Sequence, residues 1–141
     1  MNFGVTIPFV DHLGFELELF DSGQSRIAYQ ARPEHLNSFG VTHGGAIMTL
    51  MDVTMAAAAR SVSPEMGVVT IELKTSFMQA ARGRLSCQGR LMHRTGAMAF
   101  TEATVFDAEG AACAHATGTF KYVKRLPGQQ GASGSNPIST D

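Results

Sequence analysis

The order of apolar and polar positions divides the chain into three stretches. In the first, Pro8 to Leu13 suits a short helical turn, with Pro8 at a first helical position. Phe15, Leu17 and Leu19 then alternate with Glu16 and Glu18, the period of a half-buried strand. Asp21-Ser22-Gly23 reads as a turn, and Ile27, Tyr29 and Ala31 alternate with Arg26 and Gln30, so a hairpin is expected before Pro33. In the second stretch, Ala46 to Ala59 is an apolar run whose only ionisable residue is Asp52. That pattern predicts a buried helix, stopped by Ser63-Pro64 after Arg60.

In the third stretch the period returns to two. Val69, Ile71, Leu73 and Phe77 mark one strand, Leu85, Cys87 and Leu91 a second, Phe100, Thr104 and Phe106 a third, and Ala112 to Val123 the last. Turns fall at Ala81-Arg82-Gly83, His93-Arg94-Thr95-Gly96 and Asp107 to Gly110. The expected order is β-β-α-β-β-β-β. This is an α+β domain, with a mostly antiparallel sheet curved over one long helix. A single sheet covers only part of an all-round apolar helix, so a second copy of the chain is expected to bury the rest.

The candidate chemistry lies where the loop Asn37-Ser38-Phe39-Gly40 leads through His43-Gly44-Gly45 into the apolar helix. Glycines there leave backbone N–H groups uncovered at a helix N-terminus, where negative charge is stabilised. A lone buried carboxylate, Asp52, is costly unless paired, hydrogen-bonded or protonated. An anion-friendly helix start and an isolated acid are the parts an acyl-transfer site needs. Yet Gly44 and Asp52 are eight residues apart, about 12 Å along a helix axis. Reacting atoms must approach to about 3–3.5 Å. One rigid helix therefore cannot offer both groups to one carbonyl, whereas two helices crossing antiparallel about a two-fold axis near Met48 can.

Composition narrows the classes. With 141 residues, the chain is long enough for one domain with a real core, assigned to residues 1–125. From Pro127 the residues are mostly Gly, Ser, Gln, Asn and Pro, and a tail over 126–141 is expected to be mobile. A net charge of −1 gives no case for nucleic acid or membrane as partner. No apolar run is long enough to cross a bilayer, and the first residues lack the basic start of a signal peptide. Cys87 and Cys113 are read as reduced core thiols of a cytoplasmic protein, with a cross-strand disulfide as the alternative. His12, His35, His93 and His115 have no metal-ligand spacing. Met48, Met51 and Met55 are read as core filler.

Asn37, Gly40, His43-Gly44-Gly45 and Asp52 together resemble the signature of hot-dog fold acyl-CoA thioesterases of the phenylacetate-degradation (PaaI-like) family. In that family an Asn-x-x-Gly-x-x-His-Gly-Gly loop precedes a helix whose catalytic Asp follows nine positions after the His, the spacing of His43 and Asp52. The likeness spans Pro8 to Val123, although Gln79-Ala80-Ala81 stands where family strands commonly carry Arg-Pro-Ala. It implies hydrolysis of a small aryl- or short- to medium-chain acyl-CoA. It implies no metal or cofactor beyond the coenzyme A of the substrate, and a homodimer with shared sites, often paired into tetramers. Gly44, with Gly45 beside it, would receive the thioester oxygen. Asp52 would be nucleophile or general base, and Thr70 the hydroxyl beside it. Asn37 and His43 would position water, substrate or loop. Arg82 and the Arg94-Thr95-Gly96 turn would lie near the coenzyme A phosphates.

Each residue also has a plainer reading: an Asx turn for Asn37, a helix-end hydrogen bond for His43, β-forming for Thr70 and solvated surface for the arginines. Two other functions share the fold. One is a non-catalytic acyl-CoA binding or sensing module. The other is an enoyl-CoA hydratase, disfavoured because its His usually follows the acid, whereas His43 precedes Asp52.

Overall fold

The N-terminal hairpin forms as its alternation predicts. In this computed structural model, which describes residues 1–124, a short helix α1 (Pro8–Leu13) ends at Gly14 and leads into β1 (Glu16–Asp21) and β2 (Gln24–Gln30). A 3₁₀ turn at Pro33–His35 comes next, and the apolar run becomes the 17-residue helix α2 (Gly44–Arg60). The remaining strands are β3 (Gly67–Phe77), β4 (Arg84–Arg94), β5 (Met98–Phe106) and β6 (Ala112–Val123). The expected tail over 126–141 lies outside the described residues.

All six strands form one antiparallel sheet in the order β1-β2-β4-β5-β6-β3. Strand β3 does not join its sequence neighbour β4. It pairs with β6, the last strand, and so stands at a sheet edge. The sheet curves over α2, whose Leu50, Met51 and Met55 pack with Ile27, Leu85 and Phe120, all fully buried. Gly118 admits this contact, since a Cβ there would lie 3.1 Å from the methyl carbon of Met55. Burying such side chains is worth about 1.5–3 kcal/mol each before the ordering entropy is charged.

Three sequence expectations need adjustment. Met51 and Met55 fill the core, but Met48 is 38% exposed. It lies on a strip of α2 with Gly45, Thr49 and Asp52 that no element of the same chain covers fully. In β3 a bulge between Thr70 and Glu72 breaks the alternation. Ile71 therefore turns outward at 53% exposure, and Thr70 faces α2. In β5 the buried phase is Ala99, Thr101, Ala103 and Val105, so Phe100 is on the outer face.

Cys87 and Cys113 are buried free thiols, which removes the disulfide alternative. Burial pushes the Cys87 thiol up to about 12. Among the described residues no helix is long and apolar enough to cross a membrane.

Candidate active site

The loop before α2 is held from both sides. The N–H of His43 donates to the carbonyl of His35 at 2.9 Å, and that of Thr42 donates to Ala81 at 3.1 Å. Between them Asn37 builds an Asx turn, its Oδ1 accepting from Phe39 N–H at 2.9 Å and Val41 N–H at 3.2 Å. Gly40 adopts φ +75°, a left-handed conformation that side chains other than glycine resist. The plain reading of Asn37 is therefore realised, and the residue also stands in the wall of a cavity beside Gly44.

His43 is the N-cap of α2. Its Nδ1 accepts from Gly45 N–H at 2.8 Å, which satisfies one of the free donors of the first turn. This divides the two glycines. The N–H of Gly45 is occupied, so the ligand contact expected of Gly45 through that group is not on offer. The carbonyl of His43 accepts from Ala46 and Ile47, while the N–H of Gly44 has no partner among the described residues. The Phe77 ring packs over Gly44. A Cβ added to it would lie 3.4 Å from the Phe77 ring.

The cavity beside Gly44 has a volume of about 310 Å³. It lies between the loop (Asn37, Val41, Thr42), the first turn of α2 (Ile47), the end of β3 with the segment after it (Phe77 to Ala81), and β6 (Cys113, Ala114). Asp52 is not in its wall.

Two turns further along α2, the Asp52 carboxylate accepts from Thr70 Oγ1 at 2.7 Å. Burial pushes its carboxyl above the usual aspartate value, and the Thr70 hydrogen bond pulls against that shift. An acid with one hydrogen bond and a raised pKa is suited to proton transfer or attack.

The arginines separate. Arg82 is exposed and without a partner among the described residues; it lines a second hollow, of about 380 Å³, with Gln79, Ala80, Asp107, Ala108 and Glu109. Arg94 stands at the other end of β4, an eleven-residue strand about 34 Å long if fully extended. Its guanidinium lies 4.2 Å from the centre of the Tyr122 ring and donates to Ser63 Oγ at 2.7 Å. Thr95 Oγ1 closes the Thr95-Gly96 turn, accepting from Ala97 and Met98. Within one chain, the Arg94 to Gly96 turn is thus not brought to Gly44.

Sequence reasoning missed the cavity walls, above all Ile47, Phe77, Met78 and Ala114. Nothing in a strand or helix pattern distinguishes a residue facing a hollow from one facing the core. The bulge that orients Thr70 was equally silent.

A helix-wrapping antiparallel sheet of this order, with a glycine helix start and a mid-helix acid, defines a hot-dog fold thioesterase-type protein. The profile of the thioesterase superfamily matches residues 39–114, and the chain belongs to that family. It is 30% identical, over 74% of this chain and 75% of the other, to a Saccharolobus solfataricus protein named "Putative esterase". Among solved structures, a conserved protein from Pseudomonas aeruginosa superposes with a TM-score of 0.80 at 28% identity, covering 85% of this chain and 97% of that one. The E. coli PaaI protein from the phenylacetic acid degradation operon superposes with a TM-score of 0.78, covering 84% and 86%; at 17% identity this likeness speaks for the fold alone.

Proposed function

We propose that the protein is an acyl-CoA thioesterase that hydrolyses a small aryl- or short- to medium-chain acyl-CoA to free acid and coenzyme A. The observation that carries this reading is the unpartnered N–H of Gly44, the first residue of α2 and part of the cavity wall. A thioester carbonyl placed there receives a hydrogen bond that strengthens as its oxygen gains charge, with the helix dipole in support. His43 keeps that donor in position by capping the same turn.

Asp52 supplies the second half. As a base it takes a proton from water while the oxygen attacks the carbonyl carbon. As the tetrahedral intermediate collapses, the C–S bond breaks and the thiolate takes up the proton. As a nucleophile it attacks the carbonyl carbon, and the C–S bond breaks to release the coenzyme A thiolate, which takes up a proton from solvent. Water then opens the resulting mixed anhydride, restoring the carboxylate. Both routes need the ionised carboxylate, and Thr70 holds it in either.

The site is shared between two copies of the chain. Asp52 is absent from the wall of the Gly44 cavity and lies with Gly45, Met48 and Thr49 on an incompletely covered strip of α2. Two such strips crossing antiparallel would set Gly44 of each copy near Asp52 of the other. Pairing of such homodimers into a tetramer is part of the same reading. Coenzyme A enters as part of the substrate, and the reaction calls for no metal or further cofactor. Purified protein incubated with a panel of acyl-CoA esters, with free thiol as readout, tests the activity. Thiol release on small acyl groups is expected; saturable binding without release would support the binding module instead, and hydration of crotonyl-CoA without release would support the hydratase.

A further inference from the structure

We propose that His35 is a positioning residue of the Gly44 site: its neutral imidazole, set between Tyr29 and Arg32, fixes through the residue's own carbonyl the turn at His43 that presents Gly44, and a further proton on that ring releases the turn. The proposal rests on the thioesterase reading of the site. It starts from a buried histidine, 7% exposed, that the proposed chemistry does not use. His35 ends the Pro33–His35 turn, and a 3₁₀ turn of three residues has little stability of its own. Two backbone bonds close it, from His35 N–H to Arg32 at 2.8 Å and from Leu36 N–H to Pro33 at 3.2 Å. The ring supplies the rest. Nδ1 accepts from the Arg32 backbone N–H at 3.2 Å and lies 2.9 Å from the hydroxyl of Tyr29, a fully buried residue of β2. The imidazole thus ties the turn both to itself and to the sheet. A second proton would sit on Nδ1 and face the Arg32 N–H, while Nε2 lies 3.3 Å from Arg32 Nη2, a group that only donates. The cationic ring would meet a donor at each nitrogen, with the Tyr29 oxygen alone able to accept.

What the turn holds is the entry to α2. The His35 carbonyl accepts from His43 N–H at 2.9 Å, Leu36 and Thr42 form an antiparallel bridge, and Asn37 N–H donates to Val41 at 2.8 Å. His43 in turn caps α2 through Gly45 N–H, next to the free donor of Gly44. Direct contacts therefore run from Tyr29 through His35 and His43 to Gly45. A donor for a developing oxyanion acts only where it is aimed, and a misplacement of about 1 Å can cost about a hundredfold in rate. The titratable and charged groups around the ring are His12 of α1, its ring centre 5.6 Å away, Tyr29 of β2, and Arg32 and Glu34 of the turn itself. Only Glu34 favours the cation, and it is exposed and pairs with Arg32 Nε at 3.4 Å. Burial, with Arg32 in support, holds His35 below the ordinary histidine value. Between the ordinary value and the lowered one, the unfolded chain takes up a proton that the native state refuses, so this group's contribution to stability is lost as pH falls. Asp52, with its raised pKa, acts in the opposite direction.

The test compares wild type, His35→Ala and His35→Asn on a panel of acyl-CoA esters, with free thiol as readout, over the pH range in which melting curves show each protein folded. Asn offers an acceptor oxygen near the place of Nδ1 to the Arg32 N–H and the Tyr29 hydroxyl, and it does not titrate. His35→Ala is expected to lower kcat roughly 10- to 100-fold with KM little changed, and His35→Asn to restore most of that loss. The fall of kcat in acid should be steeper in wild type than in His35→Asn, which has one titrating group fewer. If His35→Ala does not fold, the pH profiles of wild type and His35→Asn decide alone. A folded His35→Ala with wild-type kcat, a His35→Asn as slow as His35→Ala, or acid limbs of equal steepness would overturn the positioning role and leave the thioesterase standing. Wild type silent on every ester would sink the activity itself and the role of His35 with it.

Discussion

Asp52 is held in a compromise: its surroundings resist its charge, and one hydroxyl supports it. Removing the carboxylate while keeping its shape, in Asp52→Asn, should lower turnover by roughly two or more orders of magnitude. Near-normal turnover would take Asp52 out of the mechanism. The raised pKa also fixes the sign of a stability effect. Between the ordinary aspartate value and the raised one, the native state retains a proton that the unfolded chain has lost, so native stability falls as pH rises. Above the raised value the cost is complete. Asp52→Asn should therefore melt higher than wild type above that value, with the gap closing in acid below the ordinary aspartate value. A variant less stable at neutral pH would show that the carboxylate contributes structurally. Because the ionised form does the chemistry, the rate should fall on acidification with an apparent pKa above that of free aspartate. Thr70→Val removes the interaction that lowers that pKa, so the acid limb should move to higher pH; an unmoved limb would uncouple Thr70 from the acid.

At the scale of elements, α2 carries both residues of the proposed chemistry, Gly44 and Asp52, and His43 caps its first turn. His43→Ala should cost about 1 kcal/mol of stability, the usual worth of an N-cap, measured by urea unfolding. It should also reduce kcat, because the turn presenting Gly44 is no longer braced. Unchanged unfolding would mean the cap contributes nothing. These elements differed in how far they could be read in advance. The α2 helix was legible because an apolar run with one acid, preceded by His-Gly-Gly, fits a buried helix and little else. The β1–β2 hairpin was legible from strict alternation. The position of β3 at the far edge was not. Nor was its bulge, which depends on pairing with β6, a strand some forty residues on. Hence Thr70 could be named only through a resemblance, and the cavity walls could not be named at all. Arg94, a turn arginine that the resemblance puts near the coenzyme A phosphates, stacks on Tyr122 and donates to Ser63 within the chain, contacts that its place in a turn did not announce.

At the scale of the molecule, the two halves of the chemistry do not meet inside one chain. The cavity beside Gly44 contains no acid, and Asp52 lies about 12 Å along α2 on the strip where Met48 is exposed. On the proposed reading, a two-fold contact along that strip would cover the exposed apolar surface and complete two equivalent sites in one step. The central claim is thus that activity belongs to a pair of chains. Gly44→Pro deletes the donor N–H and should alone reduce turnover on the order of a hundredfold or more; melting curves control for distortion of the turn. Mixing folded, inactive Asp52→Asn with folded, inactive Gly44→Pro protein and allowing subunits to exchange is the most direct measurement. Half of the randomly formed dimers then carry one intact site, so activity should return to about a quarter of wild type. No recovery, with heterodimers confirmed by mass spectrometry, would mean that both groups act within a single chain and would contradict the account.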